Sequence, residues 1–515
     1  MEIIDNRAIL LKVRHPDRIT TVIPKSKVIE DDGKVASVLV NWGLEESIVL
    51  KNLKINVPSP INATYKWPGL FKPFDHQKVT SSFLTMHRRA FCFNEQGTGK
   101  TASVIWAADY LMLLGQIKRV LVICPLSIME SAWRNDLFKF AMHRRVDVAY
   151  GKPEKRREII GGDAEFVVIN YDGVEIVADA VANGGFDMVV IDEANAYKNP
   201  TTKRWKILSK LIQPNTWLWM LTGTPASQSP LDAYGIAKLV NPNNVPRFYG
   251  GFRDQVMNKV TQFKWVPKPE AQDVVYRALQ PAIRYTKEEC LDLPEMTYVT
   301  RDVPLSAQQE KYYELLRRQL IVKAAGEEIT TVNAAANLNK LLQLSGGAVY
   351  SDSGEVVQFD ASNRLAVLKE VVEESSHKVL VFVPYRHAIE VVAEYLRKNG
   401  YSTAIINGSV PAGKRSEIFE RFQATPDPQV LVIQPQAASH GVTLHAANTI
   451  VYWSPVMSVE TYLQCNARVH RAGQKNPTTV VRLQGSGVER RMYTMLNNKV
   501  DIHEKITDLY GEILR

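Results

Sequence analysis

From Phe91 onward, continuous apolar runs alternate with segments whose apolar residues recur at helical spacing. The runs lie at 120–124, 166–169, 188–191 and 218–221. Unbroken apolar runs of this length are typical of parallel strands that are covered on both faces. Between them, residues 102–114 and 128–140 repeat apolar positions every three or four residues. The pattern predicts a βαβ series and therefore a doubly wound α/β lobe.

A second series of the same kind begins after Asp360. Strand-like runs lie at 379–383, 403–406, 430–433, 450–453 and 480–483. Helical patterns separate them at 365–374, 388–396 and 418–422. The sequence thus predicts two tandem doubly wound lobes.

Breaks in these patterns predict the domain boundaries. Short strand-like runs at 8–13, 19–23, 35–41 and 47–50 predict a small N-terminal β domain over 1–68, similar to an SH3 or Tudor barrel. The first lobe is expected over 69–292, with a helical insertion at about 231–285. The second is expected over 293–515, with a helical protrusion at about 305–350 and a C-terminal helix.

Composition narrows the class of protein. With 515 residues, 45% hydrophobic and 23% charged, the chain is neither a single small module nor a disordered polymer. The net charge of +9 favours a polyanionic partner. Four scattered cysteines without a CxxC pair argue against a disulfide framework or zinc site. Because the N-terminus is acidic and no apolar run is long enough to cross a bilayer, we expect no membrane partner.

A glycine-rich loop follows the first strand of the first lobe and precedes a helix. It reads FNEQGTGKT over 93–101, so Asn94 stands where the strict GxxxxGK[ST] pattern has glycine. Glycines let backbone N–H groups approach phosphates, Lys100 neutralises their charge and the Thr101 hydroxyl is a ligand for Mg²⁺. The alternative, a glycine turn with a chance lysine, fits the surrounding strand and helix less well.

Two carboxylates end a later strand of the same lobe. Asp192 and Glu193 follow the apolar run 188–191. After a phosphate-binding loop, such an aspartate holds Mg²⁺ and the glutamate orients and deprotonates water. On its own the pair would equally be a polar helix cap.

Two further motifs suit the same chemistry. Hydroxyls at Thr222 and Thr224 follow the next strand and are placed to sense a nucleotide. In the second lobe, Arg468 and Arg471 lie three residues apart on a predicted helix and so on one face. Arginines of this kind stabilise the charge of phosphoryl transfer. The alternative for the arginines is a solvated helix face.

Taken in order, these motifs resemble the Swi/Snf-type (Snf-two) branch of helicase superfamily 2. The resemblance covers the chain from about residue 71 to its C-terminus. Further matching segments are 74–77, 123–127 with Trp133, 170–171, 284–287, 293–294, 407–409, 439–444, 453–455 and 464–474. Two departures are Asn195, where the family has histidine, and Ser439-His440, which replace a more glycine-rich stretch.

The resemblance implies two RecA-like lobes with ATP and Mg²⁺ bound between them. Gln77 would read adenine, while Asp192 and Thr101 would bind Mg²⁺ and Glu193 would activate water. The remaining cofactor-binding positions implied by the family motifs are Gly97, Thr98, Gly99, Lys100 and Gln464. Lys100 also belongs to the predicted catalytic set, in which Arg468 and Arg471 would be the arginine fingers.

The same resemblance implies that double-stranded or branched DNA lies across the lobes. The predicted contacts are Ser127, Asn170, Lys198, Asn407, Gly408, Ser409, Thr443 and Trp453. Taken singly, Lys198 would instead belong to a solvated loop. Contacts of this kind to phosphates fix register without reading sequence.

The function predicted from the motifs is ATP-dependent translocation on DNA. A strand-separating DNA or RNA helicase is the first alternative, and an ATP-gated nucleic-acid-binding scaffold is a distant one. The N-terminal domain would contact DNA, RNA polymerase or another DNA-bound protein, or simply pack on the first lobe. We expect a monomer in the cytoplasm of a bacterial or phage-infected cell, or in the nucleus if the host is a eukaryote.

Overall fold

The computed structural model describes residues 1–223, 225–226, 229–261, 265–290, 294–326, 331–350, 355–438, 442–471 and 473–498. The chain divides into two compact units, Met1–Cys290 and a second one that follows Cys290. A parallel sheet lies at the centre of each unit. The α/β class predicted from the alternating apolar runs is therefore confirmed.

An antiparallel sheet opens the first unit. Its strands are β1 (Glu2–Ile4), β2 (Ala8–Val13), β3 (Lys27–Asp31) and β4 (Ala36–Asn41), in the order β1-β2-β4-β3. Alternate residues of the two central strands, including Ile9, Leu11, Val38 and Val40, form its core. The β content matches the prediction, whereas closure into an SH3-like or Tudor-like barrel stays a prediction.

Two of the predicted N-terminal strands are helices. Residues 19–23 lie in and after α1 (Asp17–Thr20), and residues 47–50 lie in α2 (Leu44–Asn52). Ile19 and Ile23, four residues apart, are both buried, which is the spacing of a helix face. In α2 the buried Leu44, Ser47 and Leu50 follow the same period. In both segments, burial of one helical face therefore outweighed the strand propensity of the β-branched residues.

Seven parallel strands form the central sheet of the first unit. They are β5 (Arg89–Cys92), β6 (Val120–Cys124), β7 (Val146–Val148), β8 (Phe166–Asn170), β9 (Met188–Asp192), β10 (Trp217–Leu221) and, after a small hairpin of β11 (Met257–Lys259) and β12 (Trp265–Pro267), β13 (Ala282–Ile283). Their order is β13-β5-β10-β9-β6-β8-β7. The edge strand β13, which pairs with β5, lies at the end of the segment predicted as a helical insertion.

Helices cover both faces of this sheet. They are α3 (Ile61–Thr64), α4 (Asp75–Thr85), α5 (Lys100–Leu113), α6 (Asn135–Phe140), α7 (Pro153–Gly161), α8 (Tyr171–Ile176), α9 (Ala178–Asn183), α10 (Lys203–Leu211), α11 (Asp232–Val240), α12 (Tyr249–Val256), α13 (Ala271–Ala278) and α14 (Lys287–Cys290). Short 3₁₀ turns at Leu126–Ile128, Ala194–Tyr197 and Pro242–Asn244 and a π-helix at Met129–Arg134 complete the unit. Alternate strand residues such as Leu121 and Val122 enter separate cores on opposite faces.

The strand register brings several loops to one edge of the sheet. Leu221 pairs with Cys92 on one side and with Asp192 on the other. Cys124 pairs with Asn170. The segments that follow these residues therefore start at nearly the same level, at the carboxyl edge where ligands bind in open parallel sheets.

Six parallel strands form the central sheet of the second unit. The unit's strands are β14 (Met296–Asp302), β15 (Ala348–Tyr350), β16 (Val356–Gln358), β17 (Lys378–Phe382), β18 (Thr403–Ile406), β19 (Val430–Ile433), β20 (Ala447–Tyr452) and β21 (Thr478–Gln484). The sheet order is β14-β21-β20-β17-β19-β18, and β15 with β16 forms a separate antiparallel pair.

Helices connect the strands of the second unit. They are α15 (Ala307–Gly326), α16 (Thr331–Ser345), α17 (Ser362–Glu374), α18 (Arg386–Lys398), α19 (Ala412–Ala424), α20 (Pro435–Ala438), α21 (Val459–Asn466) and α22 (Gly487–Asn497). The long α15 and α16 occupy the segment predicted as a helical protrusion. Across the described ranges of both units, no helix is long and apolar enough to span a membrane.

Candidate nucleotide site and nucleic-acid interface

The glycine-rich loop connects β5 to the first residue of α5. Gly97 and Gly99 adopt φ values of +89° and +80°, which residues with a side chain rarely adopt. A Cβ at position 99 would also lie 2.1 Å from the Gln77 side-chain nitrogen. The Lys100 ammonium donates to the Asn94 carbonyl at 2.8 Å and to the Glu95 carbonyl at 3.4 Å. The loop thus curls around its own lysine at the N-terminus of a 14-residue helix.

Helix α4 fastens this loop from one side. Gln77 accepts the Phe74 N–H at 2.9 Å and donates to the Thr98 and Gly99 carbonyls at 3.4 Å each. His76 Nε2 bonds to the Thr98 carbonyl at 2.8 Å. Phe74 is 49% exposed and stacks on His76 with centroids 5.7 Å apart. Gln77, predicted to read adenine, therefore lies against the phosphate-binding loop, beside an exposed aromatic ring.

The Asp192–Glu193 pair lies where β9 ends. Asp192 is buried, and its Oδ1 accepts the Glu193 N–H at 3.0 Å. Its Oδ2 accepts the indole N–H of Trp133, also at 3.0 Å. Glu193 has φ +51°, a left-handed conformation uncommon for a residue other than glycine. Non-glycine residues in this region cluster at functional sites, where the surrounding structure holds them in place.

A glutamine links the loop to the acidic pair. The Gln96 side-chain N–H donates to Glu193 Oε1 at 3.5 Å. Gly223, after β10, lies close to Gln96, since a Cβ at 223 would be 3.2 Å from Gln96 Cγ. Thr222 is buried and its N–H donates to the Cys92 carbonyl at 3.1 Å, while Thr224 lies outside the described residues. The structure therefore brings the predicted phosphate-binding and acidic residues of the first unit together.

Tyr171 bonds to the backbone of the acidic pair. Its hydroxyl donates to the Asp192 carbonyl at 2.6 Å and to the Glu193 carbonyl at 3.2 Å. Burial, together with the nearby charges of Asp192 and Glu193, raises the pKa of Tyr171 well above its usual value. The hydroxyl therefore keeps its proton and acts as a donor. Motif spacing predicted neither this contact nor those of Trp133 and Gln96.

The donor set fits ATP and Mg²⁺. The loop ends at the N-terminus of α5, which favours anions, and a Cβ at Gly99 would clash there with the Gln77 side chain. Mg²⁺ prefers one or two protein oxygen ligands together with substrate phosphates and water. The Asp192 carboxylate and the Thr101 hydroxyl would be those protein ligands. Among the residues that the structure describes, no group of three or more His, Cys, Asp or Glu could hold a metal ion.

The two arginines of the second unit converge on one carbonyl. Arg468 Nη1 and Arg471 Nη1 each donate to the Val442 carbonyl at 3.3 Å. The prediction that both lie on a helix is wrong, because α21 ends at Asn466 and they occupy the turns that follow. Gln464 lies inside α21, is buried and donates to Glu460 at 3.2 Å.

Comparison with protein families covers most of the chain. The model described as "SNF2-related domain" matches residues 76–346. The model described as "Helicase conserved C-terminal domain" matches residues 363–473. The chain belongs to the SNF2-related family. The family resemblance predicted from the motifs is thereby confirmed.

Relatives of this SNF2-related chain include eukaryotic and phage proteins. Chromodomain-helicase-DNA-binding protein 1-like of Danio rerio is 25% identical over 496 residues, which cover 90% of this chain and 47% of the relative. Putative protein p41 of Acyrthosiphon pisum secondary endosymbiont phage 1 is 24% identical over 440 residues, or 80% of this chain and 92% of p41. The chain spans about half the length of the first relatives.

A solved structure is also similar to this SNF2-related chain. It is the Sulfolobus solfataricus SWI2/SNF2 ATPase core in complex with dsDNA, at a TM-score of 0.43 and 21% identity. The match covers 86% of this chain and 96% of that one.

Several predicted DNA contacts of the SNF2-related chain lie in loops that reach the surface. Asn407 Oδ1 accepts the Ser409 N–H at 3.0 Å and its hydroxyl at 2.6 Å, which shapes an exposed turn. Arg415 Nη2 donates to the Gly408 carbonyl at 3.1 Å at the same turn. Thr443 is half-buried. These positions are compatible with a contact to a phosphate backbone.

The other contacts predicted for the first unit differ in their surroundings. Lys198 forms an ion pair with Asp232 at 3.0 Å. Ser127 lies in the 3₁₀ turn Leu126–Ile128 that follows β6. The departures Ser439 and His440 lie outside the described residues.

Two residues predicted to contact DNA have buried side chains. Asn170 is 8% exposed, and its Oδ1 accepts Arg156 Nη1 at 3.0 Å. Trp453 is 1% exposed, and its indole N–H donates to the Gly346 carbonyl at 2.9 Å. Both side chains are hydrogen-bonded within their own units, and a contact of either residue with DNA stays a prediction.

Proposed function

We propose that this SNF2-related chain is an ATP-driven motor that moves along double-stranded or branched DNA. The observation that carries the proposal is the hydrogen bond between the glycine-rich loop and the acidic pair. In it, Gln96 Nε2 donates to Glu193 Oε1 at 3.5 Å. A loop that binds phosphates and a carboxylate that accepts a proton from water are the two parts that ATP hydrolysis requires.

The residues of the first unit divide the work. Lys100, now held by two loop carbonyls, would turn to the phosphates of ATP. Thr101 and Asp192 would hold Mg²⁺, which supplies neutralising charge next to the transferred phosphoryl group when it is bound. Glu193 would accept the proton of the attacking water while Gln96 orients its carboxylate. Arg468 and Arg471 are proposed to stabilise the charge that develops on the phosphoryl group.

The proposed substrate is the DNA backbone rather than its sequence. The chain carries a net charge of +9. The exposed turn of Asn407, Gly408 and Ser409 is flanked by Arg415. Contacts of this kind neutralise phosphates, so binding should tolerate any sequence and weaken with salt.

The N-terminal sheet is the proposed site of a further contact. A barrel of SH3 or Tudor type would bind DNA, RNA polymerase or another DNA-bound protein, or else pack on the first unit as a structural element. We propose a monomer that works in the cytoplasm of a bacterial or phage-infected cell, or in the nucleus of a eukaryotic host.

Steady-state ATP hydrolysis tests this function. Rates are compared without nucleic acid and with single-stranded, duplex and branched DNA and RNA, with Lys100→Ala as the inactive control whose fold is checked by circular dichroism. We expect duplex or branched DNA to stimulate wild-type turnover. Stimulation by single strands or RNA alone would instead indicate a strand-separating helicase. No hydrolysis with any nucleic acid would favour the ATP-gated scaffold.

A further inference from the structure

Trp133 bonds to the predicted metal-binding carboxylate from a distant part of the chain. The residue is fully buried and lies in the π-helix Met129–Arg134. Its indole N–H donates to Asp192 Oδ2 at 3.0 Å, across 59 residues of sequence. π-Helical turns are rare and occur frequently at functional sites. Here the π-helical turn contains the indole donor.

Tyr171 holds the backbone of the same acidic pair. Its hydroxyl donates to the carbonyls of Asp192 and Glu193 at 2.6 and 3.2 Å. Its ring contacts Tyr197 edge-on at 5.8 Å and lies 5.0 Å from the Arg204 guanidinium carbon. These contacts fix the ring, so the hydroxyl has little freedom to move away. The peptide that it holds is the one at which Glu193 adopts its left-handed conformation.

The two contacts restrict different parts of the pair. Trp133 bonds to a side-chain oxygen and so sets the direction of the Asp192 carboxylate. Tyr171 bonds to main-chain oxygens and so sets the backbone from which the Glu193 side chain projects. In metal sites, hydrogen bonds to a ligating carboxylate orient it and tune its affinity for the metal.

We propose that Trp133 and Tyr171 are positioning residues, Trp133 for binding of Mg²⁺ by Asp192 and Tyr171 for activation of water by Glu193. The inference rests on the proposed function, which assigns those two roles to the carboxylates. It adds two residues whose contribution comes through hydrogen bonds to the pair rather than through contact with ATP.

Substitution by phenylalanine removes each donor and keeps an aromatic ring. Trp133→Phe deletes the indole N–H, and Tyr171→Phe deletes only the hydroxyl. The chain offers matched controls away from the acidic pair. Trp106 is buried and donates its indole N–H to the Pro68 carbonyl at 2.9 Å. Tyr110 is buried and its hydroxyl bonds to Thr64 Oγ1 at 2.9 Å. Trp106→Phe and Tyr110→Phe therefore report the cost of losing a buried donor alone.

Binding of fluorescent ADP, measured with Mg²⁺ and with a chelator, tests Trp133 without requiring turnover. We expect Trp133→Phe to lose about tenfold of the affinity gained from Mg²⁺, the lower end for an outer hydrogen bond to a metal ligand. Affinity in chelator should stay within about twofold of the wild type, as should both affinities of Trp106→Phe. An unchanged Mg²⁺ gain in Trp133→Phe would overturn its role.

The division between kcat and KM tests Tyr171. We expect Tyr171→Phe to lower kcat for ATP about tenfold while KM stays within about twofold, because an interaction needed only for the chemical step has been lost. Tyr110→Phe should change neither constant. Equal effects of the two tyrosine variants, or a change in KM alone, would overturn the role of Tyr171.

The controls also separate this inference from the proposed function. A wild-type chain that shows Mg²⁺-dependent ADP binding but no stimulation by DNA contradicts the proposed motor, and the ADP measurement still decides the role of Trp133. A wild-type chain whose ADP affinity does not depend on Mg²⁺ overturns the assignment of Asp192 and the role of Trp133 together, while the kcat and KM of Tyr171→Phe still decide the role of Tyr171.

Discussion

Asn94 joins the phosphate loop to a segment 191 residues further along the chain, because its Oδ1 accepts the Tyr285 N–H at 3.1 Å. The other side of the amide, Nδ2, donates to Thr80 Oγ1 in α4 at 2.8 Å. The Glu95 N–H adds a bond to the Tyr285 carbonyl at 2.9 Å. The side chain of Asn94 therefore links the loop both to α4 and to the segment that follows β13.

Asn94→Ala is expected to destabilise the first unit by about 1–3 kcal/mol, because it removes a buried amide that accepts the partly buried Tyr285 N–H and donates to the buried Thr80 hydroxyl. Asn94→Asp should not recover this loss, since its carboxylate still accepts that N–H but cannot donate to Thr80 and its charge is costly to bury. Denaturant unfolding measures both values. Asn183→Ala, which removes an exposed bond to the Asp179 carbonyl, is the control. An equal loss in Asn94→Ala and Asn183→Ala would show that the buried amide is not a structural link.

Glu193→Gln is expected to abolish hydrolysis while leaving ATP binding intact. The amide has nearly the same shape but cannot accept a proton, and loss of a general base typically lowers turnover by about 10²–10⁴-fold. Single-turnover hydrolysis and equilibrium binding of labelled ATP measure the two properties separately. Turnover within about threefold of the wild type would mean that another group activates the water.

A buried ion pair is expected to be the most sensitive polar contact of the second unit. Arg364 donates to both oxygens of Glu489 at 2.7 and 2.8 Å, and its guanidinium also contacts the Trp453 carbonyl. Both side chains are almost completely buried. Glu489→Gln should cost about 3–5 kcal/mol, because it leaves a buried charge without its partner.

A second variant distinguishes the charge from the packing at this pair. Arg364→Met combined with Glu489→Met should recover part of the loss, since no unpaired charge remains, but not all of it, since the N–H groups of Gly485 and Ser486 lose the acceptor that Glu489 gives them. The exposed pair Glu394–Lys398 is the control, and Glu394→Gln should change the unfolding free energy by about 0.5 kcal/mol or less. If Glu489→Gln behaves like Glu394→Gln in denaturant unfolding, the ion pair does not stabilise the unit.

His87 is expected to make the first unit less stable at acid pH. Burial, with a contribution from the Lys51 ammonium that contacts the ring, lowers the pKa of His87 to about 4. In the unfolded chain the value is about 6.5, so between pH 6.5 and 4 only the unfolded state takes up the proton. Stability should therefore fall across that window as the pH is lowered, by at most about 3 kcal/mol.

The difference between wild type and His87→Asn isolates this effect. Unfolding free energies of both proteins are measured at several values between pH 7 and pH 4. We expect the wild type to lose more stability than the variant over that range. Parallel pH profiles would show that His87 is protonated in the folded protein as readily as in the unfolded one.

Long apolar runs made the central strands predictable from sequence. Residues 430–433 form β19 at the predicted bounds, and all four are buried, as an apolar run covered on both faces requires. Residues 403–406 form β18 at the predicted bounds too, although this edge strand begins with Thr403 and buries only Ile406. The prediction of a strand at residues 19–23 is wrong. There the run is β-branched, but burial of Ile19 and Ile23 four residues apart decided in favour of a helical turn.

The nucleotide site could be predicted as far as its residues are neighbours in sequence or in strand register. The loop at Lys100 and the pair at Asp192 follow β5 and β9, the parallel strands on either side of β10, so their proximity follows from the fold class. The bond from Trp133 to Asp192 depends on a π-helical turn and on a side-chain direction, which no spacing rule encodes. The same applies to Trp453, whose position beside a motif did not reveal that its ring is buried.

Displacement of a third strand from blunt, linear duplex DNA tests the central claim most directly, because it requires movement along the duplex but no separation of its strands. We predict ATP-dependent release of the third strand by the wild type, with a delay that grows with its distance from the duplex end. Glu193→Gln, and the wild type without ATP, should release none. ATP hydrolysis without release, or release only where the duplex strands themselves separate, would contradict the account.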